Sequence, residues 1–212
     1  MSKCIVFLGP PGSGKGTQAD RVVADYNIKK ISMGDIIREK INSGTEFGEE
    51  LRKIVTSGQL VNDDVVNRLV RESIDAKLKK NGFICDGYPR TYSQAVLLDE
   101  LADGIKMQIY YLNVELDDLK KRILGRSVCS KCKQIYHNVT LPSKADGICD
   151  TCGSELTIRE DDTEEVLVKR YTCFVDMMKP VLDYYGKRVI LIDGTNSSEE
   201  VYSDICNSLN KI

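Results

Sequence analysis

Gly9-Pro10-Pro11-Gly12-Ser13-Gly14-Lys15-Gly16-Thr17 is the stretch that decides the fold of this chain. It follows Lys-Cys-Ile-Val-Phe-Leu at residues 3–8, a short apolar, partly β-branched run that reads as a buried parallel strand. It precedes residues 17–24, which read as a helix. Strand, glycine-rich turn and helix form the setting that a phosphate-binding loop requires. Glycines let the backbone curl without side chains in the way, so successive N–H groups converge on one anion. The helix start adds unpaired donors and a partial positive charge, and Lys15 adds a full charge for the terminal phosphates. The loop departs from G-x-x-x-x-G-K-[ST]: Gly16 follows the lysine and the hydroxyl arrives one place later, at Thr17. Direct Mg²⁺ ligation by the residue next to Lys15 is therefore excluded.

Working outward, further apolar runs at 29–32, 83–85, 107–112 and 188–192 read as strands, separated by helices. The helices fall at about 33–40, 47–55, 65–79, from Gln94 to Leu101, 119–125, 163–185 and 196–209. Pro180 is expected to kink or interrupt the 163–185 helix. This alternation predicts an α/β fold with a parallel sheet covered on both faces. Asp86 closes the third strand. A carboxylate at the end of a buried strand, beside a phosphate loop on another strand, is placed to hold Mg²⁺ through water.

Length and composition narrow the function. The 212 residues, 42% hydrophobic, suffice for one core with insertions. A net charge of -2 argues against nonspecific nucleic-acid binding, so any anionic substrate must be held by locally clustered cations. The apolar run at 5–8 is too short for a signal peptide, and no stretch reaches the ~20 residues of a membrane span. A soluble, cytoplasmic protein without membrane contact is expected, its eight cysteines reduced.

Four of those cysteines form two hooks, Cys129-x-x-Cys132 and Cys149-x-x-Cys152, separated by 16 residues. Such hooks can place four thiolates tetrahedrally about one structural Zn²⁺. A flap of about forty residues buries little apolar surface, and a metal compensates. His137, the single histidine, reads as hydrogen-bonded structure rather than as a ligand. Cys4, Cys85, Cys173 and Cys206 read as core. A zinc ribbon can also bind nucleic acid, but Lys131, Lys133 and Lys144 make a weak basic patch. Arg122 and Arg126, four apart, are expected to share a helix face. With Arg38, Arg90, Arg159 and Arg170 they suit phosphoryl transfer, where charge stabilisation and alignment dominate.

Taken together, the motifs resemble adenylate kinase of the long-lid, zinc-bearing type, over essentially the whole chain. The carriers are GPPGSGKGTQ at 9–18, ISMGDIIRE at 31–39, GQLV at 58–61, DGYPRTYSQA at 86–95 and RILGR at 122–126. The two cysteine hooks, REDD at 159–162, Arg170 and DGTN at 193–196 complete the set. The resemblance implies a P-loop three-layer fold with a five-stranded parallel sheet. Core segments would be 1–31, 62–123 and 163–212, with a helical AMP-binding insertion at 32–61 and a zinc-bearing lid at 124–162. It also implies reversible, Mg²⁺-dependent transfer from ATP to AMP giving two ADP. The sequence carries no clear sign of oligomerisation, so a monomer is the default expectation. Gly12, Ser13, Gly14, Lys15, Gly16 and Thr17 would cradle the ATP phosphates. Arg126, Ile135 and Tyr136 would hold ATP from the lid, with Asn196 near its adenine.

On the acceptor side, Arg38 and Arg90 would grip the AMP phosphate. Gln59, Leu60, Val61 and Gln94 would receive its base, within a site that Met33, Gly87, Tyr88 and Pro89 complete. Arg122, Arg126, Arg159 and Arg170 would gather around the moving group, alongside Lys15 and Arg90, with Arg159 and Arg170 also reaching AMP. Met33 stands where the family commonly has threonine, which leaves AMP selectivity and a donor such as GTP open. A nucleotide-binding zinc-ribbon protein without turnover is the reading from another class.

Overall fold

The computed structural model describes residues 3–59 and 61–210, so Leu60, named above for the base site, lies outside the described residues. In chain order the elements begin with β1 (Lys3–Leu8), α1 (Lys15–Tyr26), β2 (Lys29–Ser32), α2 (Met33–Asn42) and α3 (Glu46–Thr56). There follow α4 (Asp63–Ser73), α5 (Ala76–Asn81), β3 (Phe83–Asp86), α6 (Tyr92–Leu101), β4 (Lys106–Asn113) and α7 (Leu116–Leu124). The flap strands β5 (Arg126–Cys129), β6 (Ile135–His137) and β7 (Leu156–Thr157) precede α8 (Glu164–Tyr185), β8 (Val189–Asp193) and α9 (Ser198–Asn210).

The main sheet is parallel, in the order β2-β3-β1-β4-β8. β1 lies at its centre, and its alternating side chains feed two cores, as a period of two requires. Cys4, Val6 and Leu8 pack with residues of α4, α6 and α8, including Val66, Leu98 and Val181. Ile5 and Phe7 pack on the opposite face with Ala19 and Val22 of α1 and Val201, Ile205 and Leu209 of α9. Both faces are thus covered, which is why β1 reads as an unbroken apolar run. Phe7 pairs with Asp86, so the loop after β1 and the carboxylate ending β3 emerge side by side at the carboxyl ends of neighbouring strands. Ligands of open parallel sheets bind at that edge.

The three flap strands form a separate antiparallel sheet, β6-β5-β7, around Cys129, Tyr136 and Cys149.

Four local expectations are corrected. The helix expected over 65–79 is two helices, because the Asp75 side chain accepts from Leu78 N at 2.6 Å and starts a new one while Ile74 turns extended. Its apolar stripe survives the break, with Val66, Leu69, Val70, Ile74 and Leu78 all buried. α8 is not interrupted at Pro180: buried Met178, Val181 and Tyr185 anchor the turns on either side, which offsets the missing N–H. Arg122 and Arg126 do not share a helix face, since α7 ends at Leu124, Gly125 follows as its cap, and Arg126 opens β5. Cys4 and Cys85 are core residues as expected, but Cys173 and Cys206 are only partly buried.

Candidate functional site

The loop between β1 and α1 is shaped by its glycines. Gly12 has φ +83°, and a Cβ there would press to 2.9 Å from Ile123. Lys15 folds back over this loop. Its Nζ donates to the carbonyls of Gly9 and Pro10, both at 2.7 Å, and to Ser13 Oγ at 3.2 Å. Burial drives the Lys15 ammonium down to about 7; Asp86 pulls it up, while Arg90, Arg170 and Arg126 push it further down. Near neutrality this cation is therefore balanced between charged and neutral, and an anion beside it would restore the charge.

Around the loop lies a cleft of about 1470 Å³. Lys15, Arg38, Arg90, Arg126, Arg159 and Arg170 all line it, carried by different parts of the chain. Arg38 on α2 donates to Asp35 at 2.7 Å, and Arg90 donates to the Gly87 carbonyl at 2.9 Å. Glycine makes room for both guanidinium groups: a Cβ would stand 2.9 Å from Arg38 Nη2 at Gly34 and 3.1 Å from Arg90 Nη2 at Gly87. Burial lowers Arg90 and Arg159 to about 10 and lowers Arg170 as well, with neighbouring arginines adding to the effect. All three remain cations at neutral pH.

The run Glu160-Asp161-Asp162 anchors this crowd. Glu160 accepts from Arg52 of α3 at 3.1 and 3.2 Å, Asp161 pairs with Arg170 of α8, and Asp162 takes a two-pronged pair from Arg126 of β5. Burial alone would raise the Asp161 carboxyl, but Arg170, Arg38, Arg159 and Arg126 hold it below its ordinary value. Among the described residues, the Arg159 side chain has no hydrogen-bond or ion-pair partner, although its carbonyl accepts from Asp162 N at 3.1 Å. Its three successors are each tied to a different element, so it is held at the cleft with its donors free.

Gly12, Ser13, Gly14, Gly16, Thr17, Met33, Gln59, Val61, Gly87, Pro89, Gln94, Ile135 and Asn196 also border the cleft. Asp86 faces the loop, its Oδ2 3.5 Å from where a Gly16 Cβ would sit. A carboxylate there, beside a phosphate loop, is a donor set suited to Mg²⁺. Arg122 reaches the cleft at its far side, where Nη2 donates to the Gly194 carbonyl at 2.7 Å, beside Asn196. It is thus tied to the loop after β8 rather than to the carboxylate run. Tyr136 borders the cleft, yet its ring is buried and its hydroxyl accepts from Asp150 N at 2.8 Å and meets Cys149 Sγ at 3.4 Å. Tyr88 is not a lining residue: its side chain is 1% exposed, turned into the core, and donates to Asn67 Oδ1 at 3.1 Å.

The four hook cysteines converge. Their sulfurs all lie within 4.8 Å of one another, with Cys129–Cys152 at 3.4 Å and Cys132–Cys149 at 3.5 Å. A tetrahedral thiolate site with Zn–S near 2.3 Å needs sulfurs about 3.8 Å apart, so the set fits one zinc ion. His137 stands apart from them. Its Nδ1 accepts from Val139 N and Thr140 N at 3.1 and 3.2 Å, which leaves the Nε2 hydrogen for the Lys121 carbonyl at 3.2 Å. Both nitrogens are engaged by backbone, as the sequence reading expected.

Sequence reasoning missed the partners that fix these groups. Asp63, in the first turn of α4, accepts from Gln94 Nε2 at 2.7 Å and Thr91 Oγ1 at 2.6 Å, and also from Ser93 Oγ. Gln18 donates to Ser198 Oγ and the Ser198 carbonyl, tying α1 to the start of α9. No spacing rule links residues 28 to 180 positions apart. An acidic residue at a helix start carries a capping signal that hides any second role.

Comparison with known proteins identifies relatives along the whole chain. The family model described as Adenylate kinase matches residues 7–190. The Adenylate kinase of Fervidobacterium nodosum is 44% identical over 210 residues, covering 97% of this chain and 96% of that protein. That of Thermodesulfovibrio yellowstonii is 43% identical over 212 residues, covering 98% and 99%, and that of Archaeoglobus fulgidus is 42% identical over 213 residues, covering 98% of each.

The depressed Lys15 gives a pH prediction. A bound polyphosphate raises its pKa, so the complex holds more protons than the free protein. Affinity is then full below about pH 7 and falls, by up to about tenfold per pH unit, as pH rises from there to the bound value. Calorimetric titration with ATP at about pH 8.5, in two buffers of different ionisation heat, should reveal proton uptake that Lys15→Met abolishes. Heats that do not depend on the buffer would refute the assignment.

Proposed function

Because this chain belongs to the adenylate kinase family and is a phosphotransferase of adenine nucleotides, we propose that its cleft seats donor and acceptor with their phosphates meeting over the loop at residues 9–17. The observation that carries this reading is the convergence of Lys15, Arg38, Arg90, Arg126, Arg159 and Arg170 in one cleft at the carboxyl ends of β1 and β3. In this reading Gly12 to Thr17 and Lys15 hold the donor phosphates, and Arg126 and Ile135 hold ATP from the flap. The adenine of ATP lies against the segment around Asn196, beside Arg122. Arg38 and Arg90 hold the phosphate of AMP, whose base meets Gln94, Val61 and Gln59 near Met33. Arg159 and Arg170 stand between the two nucleotides.

The family works on ATP with Mg²⁺, which supplies charge neutralisation when bound; Asp86 is the carboxylate here suited to hold it. The attacking oxygen of AMP is already anionic, so no general base is required, in keeping with a single histidine whose ring nitrogens are both engaged. The arginines align the phosphates and neutralise the transferring group, which is the larger part of phosphoryl-transfer catalysis. The insertion at 32–61 and the flap at 124–162 close over AMP and ATP respectively and exclude water. The Arg52–Glu160 pair, which joins α3 to the carboxylate run, supports such closure. Among the described residues no helix is long and apolar enough to cross a membrane. A cytoplasmic monomer acting on free nucleotides is the corresponding cellular reading. A GTP donor or a nucleic-acid-binding ribbon is not favoured.

A coupled assay of ADP formation from ATP and AMP tests the site. Arg90→Ala should lower turnover by about 10²–10³-fold while the protein stays folded by circular dichroism. Wild-type turnover in that variant would remove Arg90 from the site. Elemental analysis should find one zinc per chain, and chelation should loosen the flap, seen as faster hydrogen exchange at 126–157, before it lowers thermal stability elsewhere. A metal-free protein whose flap exchanges slowly would refute the structural zinc.

A further inference from the structure

The base that an amide side chain accepts depends on which way round the amide is held. The terminal amide of Gln94 has two donors and two lone pairs to offer. One lone pair of Oε1 accepts from the backbone N–H of Arg90 at 2.8 Å, and one hydrogen of Nε2 goes to Asp63 Oδ1 at 2.7 Å. Neither partner can reverse its polarity: a backbone N–H only donates, and a carboxylate oxygen only accepts. A flipped amide would set nitrogen against N–H and oxygen against carboxylate, both within a site where Gln94 is 3% exposed. One lone pair and one N–H remain for a ligand in the cleft, in a fixed order.

Asp63 is itself fixed. It sits in the first turn of α4 and accepts from Thr91 Oγ1 and Ser93 Oγ on its other oxygen, Oδ2. Thr91 in turn caps α6 by accepting from Gln94 N at 3.3 Å. The carboxylate therefore cannot swing away from Gln94 without giving up both hydroxyl hydrogen bonds.

The geometry points to Asp63 as a positioning residue that selects adenine over 6-oxopurines in the acceptor, by locking the Gln94 amide. This rests on the reading above that Gln94 meets the acceptor base. Adenine presents a donor at N6 and an acceptor at N1. Hypoxanthine, held in the same place, presents an acceptor at O6 and a donor at N1. An amide locked to pair with the first opposes the second at both atoms. A free amide would turn over and accept either.

The lock can be tested without any mutation, by comparing IMP with the 5′-monophosphate of purine riboside. The latter lacks the six-position group and keeps the N1 acceptor. A locked amide makes IMP the poorer acceptor of the two, by at least about tenfold in kcat/KM, because it meets two opposed pairs instead of one missing bond. IMP equal to or better than the purine analogue would overturn the lock.

Asp63→Leu identifies the residue responsible. It removes the acceptor that holds Gln94 Nε2 and leaves the Arg90 N–H as the one group still ordering the amide. The AMP:IMP ratio of kcat/KM should fall by up to about tenfold, a change that loss of stability alone does not produce. Asp63→Asn can turn its oxygen to Gln94 and its NH₂ to the Thr91 and Ser93 hydroxyls, which accept as well as donate, and should keep the discrimination. A wild-type ratio in Asp63→Leu would overturn the role of Asp63. Gln94→Leu separates the inference from the reading beneath it. It should raise the KM for AMP and remove the discrimination; an unchanged KM for AMP would mean that Gln94 does not meet the base at all.

Discussion

Like charges confined in one partly buried cleft set the terms for this molecule. Lys15, Arg38, Arg90, Arg126, Arg159 and Arg170 are among the cations that line the same space, and burial together with mutual repulsion depresses Lys15, Arg90, Arg159 and Arg170. At an effective dielectric near 20, two unit charges about 6 Å apart repel by about 3 kcal/mol, so such a cluster needs compensation. The chain provides it unevenly. Asp35, Asp161 and Asp162 each hold one arginine, Lys15 rests on its own loop carbonyls, and Arg159 has no partner among the described residues. The remaining deficit of negative charge is what phosphates supply.

The fold makes the arrangement possible because each cation comes from a different element. A parallel sheet brings the ends of β1 and β3 together, which sets the anion loop beside Asp86. α2 brings Arg38, the turn after β3 brings Arg90, β5 brings Arg126 and α8 brings Arg170. Groups that repel one another are thus held by separate scaffolds, each paid for by its own apolar packing. The Glu160-Asp161-Asp162 run then joins two of those scaffolds, β5 and α8, to α3 at one point.

Much of this was legible in the sequence, and the limits have physical causes. Residues 3–17 gave strand, loop and helix because apolar runs and glycines act locally. The cysteine hooks gave their cluster because two short spacings constrain four sulfurs. Arg126 was misassigned to a helix because a spacing of four is compatible with a helix that has already ended at Gly125. Tyr88 belongs to the site motif in sequence, yet its ring belongs to the core. Asp63, Gln18 and the carboxylate partners act through tertiary contacts, and such pairings leave no periodic trace in one sequence. Asp75, which splits a helix whose apolar stripe runs on unbroken, shows the same limit at short range.

Binding of inorganic tripolyphosphate, set against that of adenosine, measures the charge deficit most directly, because one ligand carries only phosphates and the other only base and sugar. Calorimetric titration at neutral pH should show tripolyphosphate saturating one site, with an affinity that weakens as salt rises and collapses in Lys15→Met, and adenosine binding far more weakly. Adenosine bound as tightly as tripolyphosphate, or tripolyphosphate binding that is indifferent to Lys15, would contradict an account in which unbalanced cations organise the cleft.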